Sequence, residues 1–257
     1  MRTAEWNTSS SVLERAALIL GAFRAEDDTV GVSELARRTG LAKSTVSRLS
    51  SELVRLQFLE RHGSSLRLGL ALFELGQLAA TPKDLRRRAI GIMADLRNAT
   101  GHTVHLAVLD RVEVVYIEIL RGRGTPKLPS RVGGRMPAYA TAVGKAMLAF
   151  SPPATLAEVL AQGLARVGPN TITDEESLRN ELKTVAAAGL AYEESESATG
   201  SSCVASPVLD SGGSLVASLS VSGSVGHLDI DRAAPAVRTA ALFLGRQLPR
   251  NSALAQG

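Results

Sequence analysis

Cysteine is almost absent from this chain of 257 residues, with Cys203 alone present. A lone cysteine forms no intrachain disulfide and no cysteine cage for zinc. That usage fits a reducing compartment, and the chain reads as cytoplasmic. Aromatic residues make up only 4% of the sequence, too few for a platform that stacks single-stranded nucleic acid. No apolar run approaches the roughly 18 residues of a membrane span, so no membrane partner is expected. Met1 to Ser11 carries no apolar signal-peptide core before Val12. His102 and His105 are three apart in a stretch that reads as a strand, where they face opposite ways and make a poor metal pair.

Basic charge is present but unevenly placed. Residues 1–100 hold 15 basic and 11 acidic side chains, and residues 101–257 hold 14 of each. The whole net charge of +4 therefore belongs to the first part and points to an anionic partner there. An apolar fraction of 45% is ordinary for a globular chain, and the length suggests two domains.

Val12, Leu13, Ala16, Ala17, Leu20 and Phe23 recur at helical spacing behind Ser11, a candidate cap. A short second helix, Glu34 to Thr39, is expected between a Ser33 cap and Gly40. A third runs from about Ala42 to Gln57, followed by a hairpin, Leu59–His62 and Ser65–Leu68, with Gly63-Ser64 at its turn. Residues 69–80 read as a linker helix too apolar all round to stand in water, so a partner surface should bury it. Thr81-Pro82 is the expected boundary between a domain of residues 1–80 and one of residues 81–257.

Beyond it, helices are expected at Lys83–Thr100, Ala138–Phe150, Asp174–Ala188 (Thr173 as cap) and Arg232–Leu248. Strands are expected at Thr103–Leu109, Glu113–Leu120, Ala191–Glu194, Cys203–Leu209 and Leu215–Ser222, with Gly122 to Pro137 as a loop. Helices on one face of an antiparallel sheet would make this second part an α+β domain.

Helix, glycine-containing turn and helix over residues 33–57 form a helix-turn-helix pattern. At 100° per residue, Val46, Leu49, Leu53 and Leu56 share one face of the third helix. Ser44, Arg48, Ser51 and Arg55 share the opposite face, flanked by Ser47 and Lys43, and no acid lies among them. Hydroxyls and Lys reach phosphates and Arg reads guanine edges, so this face suits a major groove. The DNA-binding candidates are Lys43, Ser44, Thr45, Ser47, Arg48 and Arg55, with Arg61 and Arg67 on the hairpin as a wing.

Enzyme motifs are lacking. Gly144-Lys145 is followed by Ala146 where a phosphate-binding loop needs Ser or Thr, and reads as packing plus a surface charge. Gly122-Arg123-Gly124 lacks its third glycine, and there is no Gly-x-Ser-x-Gly elbow. No catalytic residue, metal or cofactor is assigned, and the chain is not expected to be an enzyme.

Over almost its whole length the sequence resembles the IclR family of bacterial transcriptional regulators. The segments that carry the likeness are SVLERAALILGAF, VSELARRTGLAKSTVSRLSSELVRLQFLER, SSLRLGLALFELGQLA, MPAYATAVGKAMLAF and YEESESATGSSCVASPVLDSGGSLVASLSVSG. The resemblance implies a winged helix-turn-helix joined by a helix to a GAF-like effector domain with an antiparallel sheet. It implies homodimers or dimers of dimers on double-stranded promoter DNA, and control by a small organic effector, often a carboxylic acid of carbon catabolism. It also implies an effector pocket formed by the backbone amides of Ala142 and Val143, by Glu193, by Cys203, and by Ser220 with Ser222. Tyr139 stands where many family members have His, and Glu193 is longer than the Asp some carry, so pocket shape is expected to differ. The alternative reading is a small-molecule sensor whose helix-turn-helix makes protein contacts rather than DNA contacts.

Overall fold

The computed structural model describes residues 11–78, 80–122 and 130–250. Met1–Ser10, Ala79 of the expected linker helix, and Arg123 and Gly124, all used in the sequence reading, lie outside the described residues. The chain divides into two compact units, Met1–Ala80 and Thr81–Gly257.

In the first unit, α1 (Val12–Gly21) opens on a capping box: the Ser11 side chain accepts from the Glu14 amide and the Glu14 side chain accepts from the Ser11 amide. A short strand, β1 (Val30–Gly31), leads into α2 (Val32–Thr39). Ser33 is not the cap of α2: Gly31 holds that position without a side-chain bond, and Ser33 lies inside the helix. Gly40, at φ 71°, supplies the left-handed residue that ends α2.

The third helix, α3 (Lys43–Arg55), is followed by the hairpin β2 (Leu59–His62) and β3 (Ser65–Leu68). With β1 these strands pair antiparallel in the order β1-β3-β2. Ile19, Leu35, Val46, Leu49, Leu53, Leu59 and Leu66 close the core beneath them. Leu56, expected on the buried face, is instead about half exposed, because α3 has ended and Leu56 is its C-cap.

The linker helix is α4 (Leu70–Leu78). None of its side chains is buried, and Leu70, Phe73, Leu75 and Leu78 are each more than half exposed. The burial expected for this helix is therefore not supplied by the described residues of the single chain.

The second unit begins within α5 (Ala80–Thr100), which starts earlier than the expected Lys83. Then follow β4 (Thr103–Asp110), β5 (Glu113–Leu120), β6 (Arg135–Pro137), a turn of 3-10 helix (Ala138–Ala140), α6 (Ala142–Leu148), α7 (Pro153–Ala161), α8 (Glu175–Ala188), β7 (Ala191–Glu194), β8 (Ser201–Leu209), β9 (Leu215–Ser224) and α9 (Ile230–Arg246). The six strands form one antiparallel sheet in the order β6-β5-β4-β9-β8-β7.

Helices cover both faces of this sheet, not one. Met93 of α5 and Val237 and Leu244 of α9 pack with Val204, Leu219 and Val221. Met147 of α6 and Leu178 of α8 pack with Cys203 and Ala205 on the other side. Alternation along β8 sends successive side chains into the two cores, so Ser201–Val208 is a continuously buried run.

Other elements differ from the sequence reading, among them β6, which occupies Arg135–Pro137 in the stretch expected as a loop from Gly122 to Pro137 and pairs with β5. The helix expected over Ala138–Phe150 is broken at Thr141, whose extended backbone (φ −131°, ψ 145°) caps α6. Asp174 rather than Thr173 caps α8, accepting from the Ser177 amide at 2.8 Å. The nine-residue α7 was not read from the sequence. Among the described residues no helix is long and apolar enough to cross a membrane.

Candidate functional site

Strand register brings the second unit's polar side chains into one row. Glu193 on β7 is opposite Cys203 on β8, and Cys203 is opposite Ser222 on β9. Ser220, two residues along the same face, is opposite His105 on β4. A cavity of about 30 Å³ lies over this row, room for about one water. All six expected effector positions, Ala142, Val143, Glu193, Cys203, Ser220 and Ser222, line it. So do His105, Tyr116, Ser130, Met136, Thr141, Ser197 and Ser201, which the sequence reading did not assign to it.

The row is buried and hydrogen-bonded. Ser220 and Ser222 are buried rather than on a solvent-facing sheet surface. The Ser222 hydroxyl donates to the Cys203 sulfur at 2.9 Å. His105 shares a hydrogen bond with the Ser130 hydroxyl through Nε2 at 2.8 Å, and its Nδ1 lies 3.3 Å from Ser222 Oγ. Burial, with the nearby Arg121 charge, lowers the His105 pKa to about 3, so the ring is neutral. Burial likewise pushes the Cys203 thiol up to about 12, with the Glu193 charge adding to it. The only sequence clue to His105 was a polar residue inside the apolar run Val104–Val108.

At the end of the row, Glu193 Oε1 accepts from the amides of Glu196 (2.8 Å) and Ser197 (3.0 Å) and from the hydroxyls of Ser197 (3.2 Å) and Ser201 (2.8 Å). The carboxylate thus organises the loop between β7 and β8 as well as facing the cavity. On the far wall, the Thr141 side chain accepts from the Gly144 amide at 3.1 Å, and Ala142 and Val143 begin α6. The first amides of a helix have no intrahelical acceptor, which gives this wall donor character.

Two expectations are corrected here. Tyr139 does not line the cavity: its hydroxyl donates to the Ala165 carbonyl at 2.8 Å. Lys145 is not a surface charge: it is buried, with Nζ 2.9 Å from Glu181 and 2.6 Å from Glu196.

The DNA-facing candidates sit on the first unit. Lys43, Ser44, Ser47, Arg48 and Arg55 are exposed on α3 and Thr45 is half-buried. Among the described residues no side chain caps the α3 N-terminus, and its first turn has no acid. Among the described residues Lys43 and Arg48 take part in no ion pair, whereas Arg55 is held by Glu52 and Arg67 by Glu60. Arg61 reaches from the wing to the Ser51 hydroxyl at 3.1 Å.

The sequence matches the family model for the IclR helix-turn-helix domain over residues 12–63 and that for the bacterial transcriptional regulator IclR C-terminal over residues 77–246. The chain belongs to the IclR family of bacterial transcriptional regulators. Its curated relatives include the HTH-type transcriptional regulator XynR of Escherichia coli K12, 32% identical, with 84% of this chain and 87% of XynR aligned. The KdgR regulator of the same organism is 35% identical over 83% of this chain and 81% of its own length. Among solved structures, an IclR homolog from Microbacterium hydrocarbonoxydans in complex with 4-hydroxybenzoate superposes with a TM-score of 0.84 at 30% identity, covering 91% of this chain and 98% of that one. This IclR-family chain is accordingly a helix-turn-helix transcriptional regulator with an effector-binding C-terminal domain.

Proposed function

We propose that this regulator binds promoter DNA through α3 and its wing, and that a small organic carboxylate in the cavity of the second unit alters that binding. The observation that carries the effector assignment is the convergence of Ala142, Val143, Glu193, Cys203, Ser220 and Ser222 on one buried cavity. The α6 amides supply donors for a carboxylate, and Glu193 with the serines and His105 supplies partners for a second polar group. A one-water cavity is too small for an organic acid, so the effector enters by displacing wall side chains, of which Met136 is the most adaptable. A ligand that favours the expanded wall shifts the regulator between two states by its differential affinity.

The exposed apolar side chains of α4 support a homodimer or dimer of dimers, because a patch of this kind is normally covered. The protein acts in the cytoplasm on a catabolic or metabolic operon and catalyses no reaction of its own.

The test is fluorescence anisotropy on DNA from upstream of the protein's own gene, with random-sequence competitor and a panel that includes benzoate and 4-hydroxybenzoate. The expected result is competitor-resistant binding that one of the carboxylates weakens or strengthens. Ser220→Ala with Ser222→Ala should reduce that response and leave DNA affinity unchanged. A response that survives the double substitution would place the effector elsewhere.

A further inference from the structure

Lys145 has no place in the effector site as described, yet it is among the largest fully buried side chains of the chain. A buried ammonium is costly unless its partners are well placed. Its partners come from two elements: Glu181 on α8 at 2.9 Å and Glu196 in the loop between β7 and β8 at 2.6 Å.

Glu196 is the link. Its backbone amide donates to Glu193 Oε1 at 2.8 Å, and the next amide, of Ser197, donates to the same oxygen at 3.0 Å. Its own carboxylate has one oxygen on Lys145, while Oε2 is buried without a hydrogen-bond partner among the described residues. Burial raises the Glu196 pKa, opposed chiefly by the Lys145 charge. The carboxylate is thus kept in place by Lys145, with no other group bonded to its side chain among the described residues. From the other direction, Thr171 Oγ1 donates to the Glu196 carbonyl at 2.7 Å, so the backbone is held on two sides.

We infer that Lys145 is a positioning residue of the effector site: from α6, through Glu196, it sets the loop amides that hold the Glu193 carboxylate against the cavity. The inference rests on the effector reading of that cavity and adds how its acidic wall is fixed. It also gives occupancy a route outward. A ligand group that draws Glu193 Oε1 away from the amides of Glu196 and Ser197 loosens the Lys145 pair, and through it the grip of the loop on α6 and α8.

Hydrogen–deuterium exchange of the full-length protein tests this without a ligand. In Lys145→Met, and in the isosteric Glu196→Gln, the amides of Glu196 and Ser197 should exchange at least about tenfold faster than in the wild type, with β8 and α9 unchanged. Lys145→Arg, which keeps the positive charge facing Glu181 and Glu196, should restore most of the protection. In parallel, benzoate affinity should fall about tenfold in Lys145→Met and recover in Lys145→Arg. Unchanged loop exchange in both charge-removing variants overturns the inference. So does faster exchange spread evenly over β8 and α9, which would mark Lys145 as a general stability residue. If the wild type binds no carboxylate, the effector reading fails while the exchange result still decides the role of Lys145.

Discussion

The Ser222 hydroxyl donates to the Cys203 sulfur at 2.9 Å across the β8–β9 pair, with both side chains buried in the cavity wall. A thiol there meets little water, and a thiolate would face the Glu193 carboxylate. With its pKa near 12, Cys203 is protonated throughout the neutral range. The thiolate is the nucleophile. Iodoacetamide at pH 8 should therefore modify the folded protein at least about a hundredfold more slowly than the denatured chain, read by mass spectrometry. Rapid native alkylation would mean that the wall opens unaided.

Gly144 faces the turn that precedes α6. A Cβ there would lie 2.1 Å from the Ala138 carbonyl oxygen, a backbone atom with no freedom to swing away. Gly144→Ala should cost about 1–3 kcal/mol in urea unfolding of residues 81–257, the usual scale for overpacking. It should also weaken the effector response, because the same turn places Ala142 and Val143. An unchanged midpoint would show that the 138–140 turn shifts freely.

The architecture was largely readable because it depends on periodicity. Gly40 and Gly189 mark the ends of α2 and α8, and the alternation Ser218-Leu219-Ser220-Val221-Ser222 assigns the two faces of β9. The positions converging on the cavity were legible through the family resemblance. What escaped was long-range. His105 and Ser130 are 25 residues apart, and only strand pairing with the return of the chain to the sheet brings them together. Lys145 looked like an exposed charge because its partners, Glu181 and Glu196, lie 36 and 51 residues further on. The capping swap from Thr173 to Asp174 is a one-residue shift between two competent caps, which composition alone does not decide.

A clip in the DNA-binding unit predicts a pH response. Arg38 bonds Asp27, Glu34 and the Ala22 carbonyl together. The hydrogen bond from Arg38, with the Arg24 amide, holds Asp27 at about 2, and Arg37 with Arg38 holds Glu34 at about 2. Both folded values lie below the ordinary carboxyl range, so the clip stabilises fully above about pH 4.5 and is lost as pH falls toward 2. The urea midpoint of this unit, followed by circular dichroism, should drop across that window. In Arg38→Ala the drop should be smaller, from a lower starting midpoint. Parallel curves for the two proteins would remove the clip from the acid response.

The third helix distinguishes a DNA reader from a protein-contact module through two arginines on its exposed face. Arg55 is already engaged by Glu52, whereas Arg48 is in no ion pair among the described residues and sits two turns nearer the uncapped N-terminus of α3. Arg48→Ala should cost about 1–3 kcal/mol of operator affinity if the guanidinium reads a base edge. Arg55→Ala should cost less, because binding there must first compete with Glu52. Anisotropy on operator and random duplexes at two salt concentrations separates the roles. A base contact lowers operator affinity selectively, while a phosphate contact lowers both affinities and flattens the salt slope by about one. If Arg48→Ala leaves both unchanged, the exposed face of α3 is not the reading surface, and protein contacts become the better account of this unit.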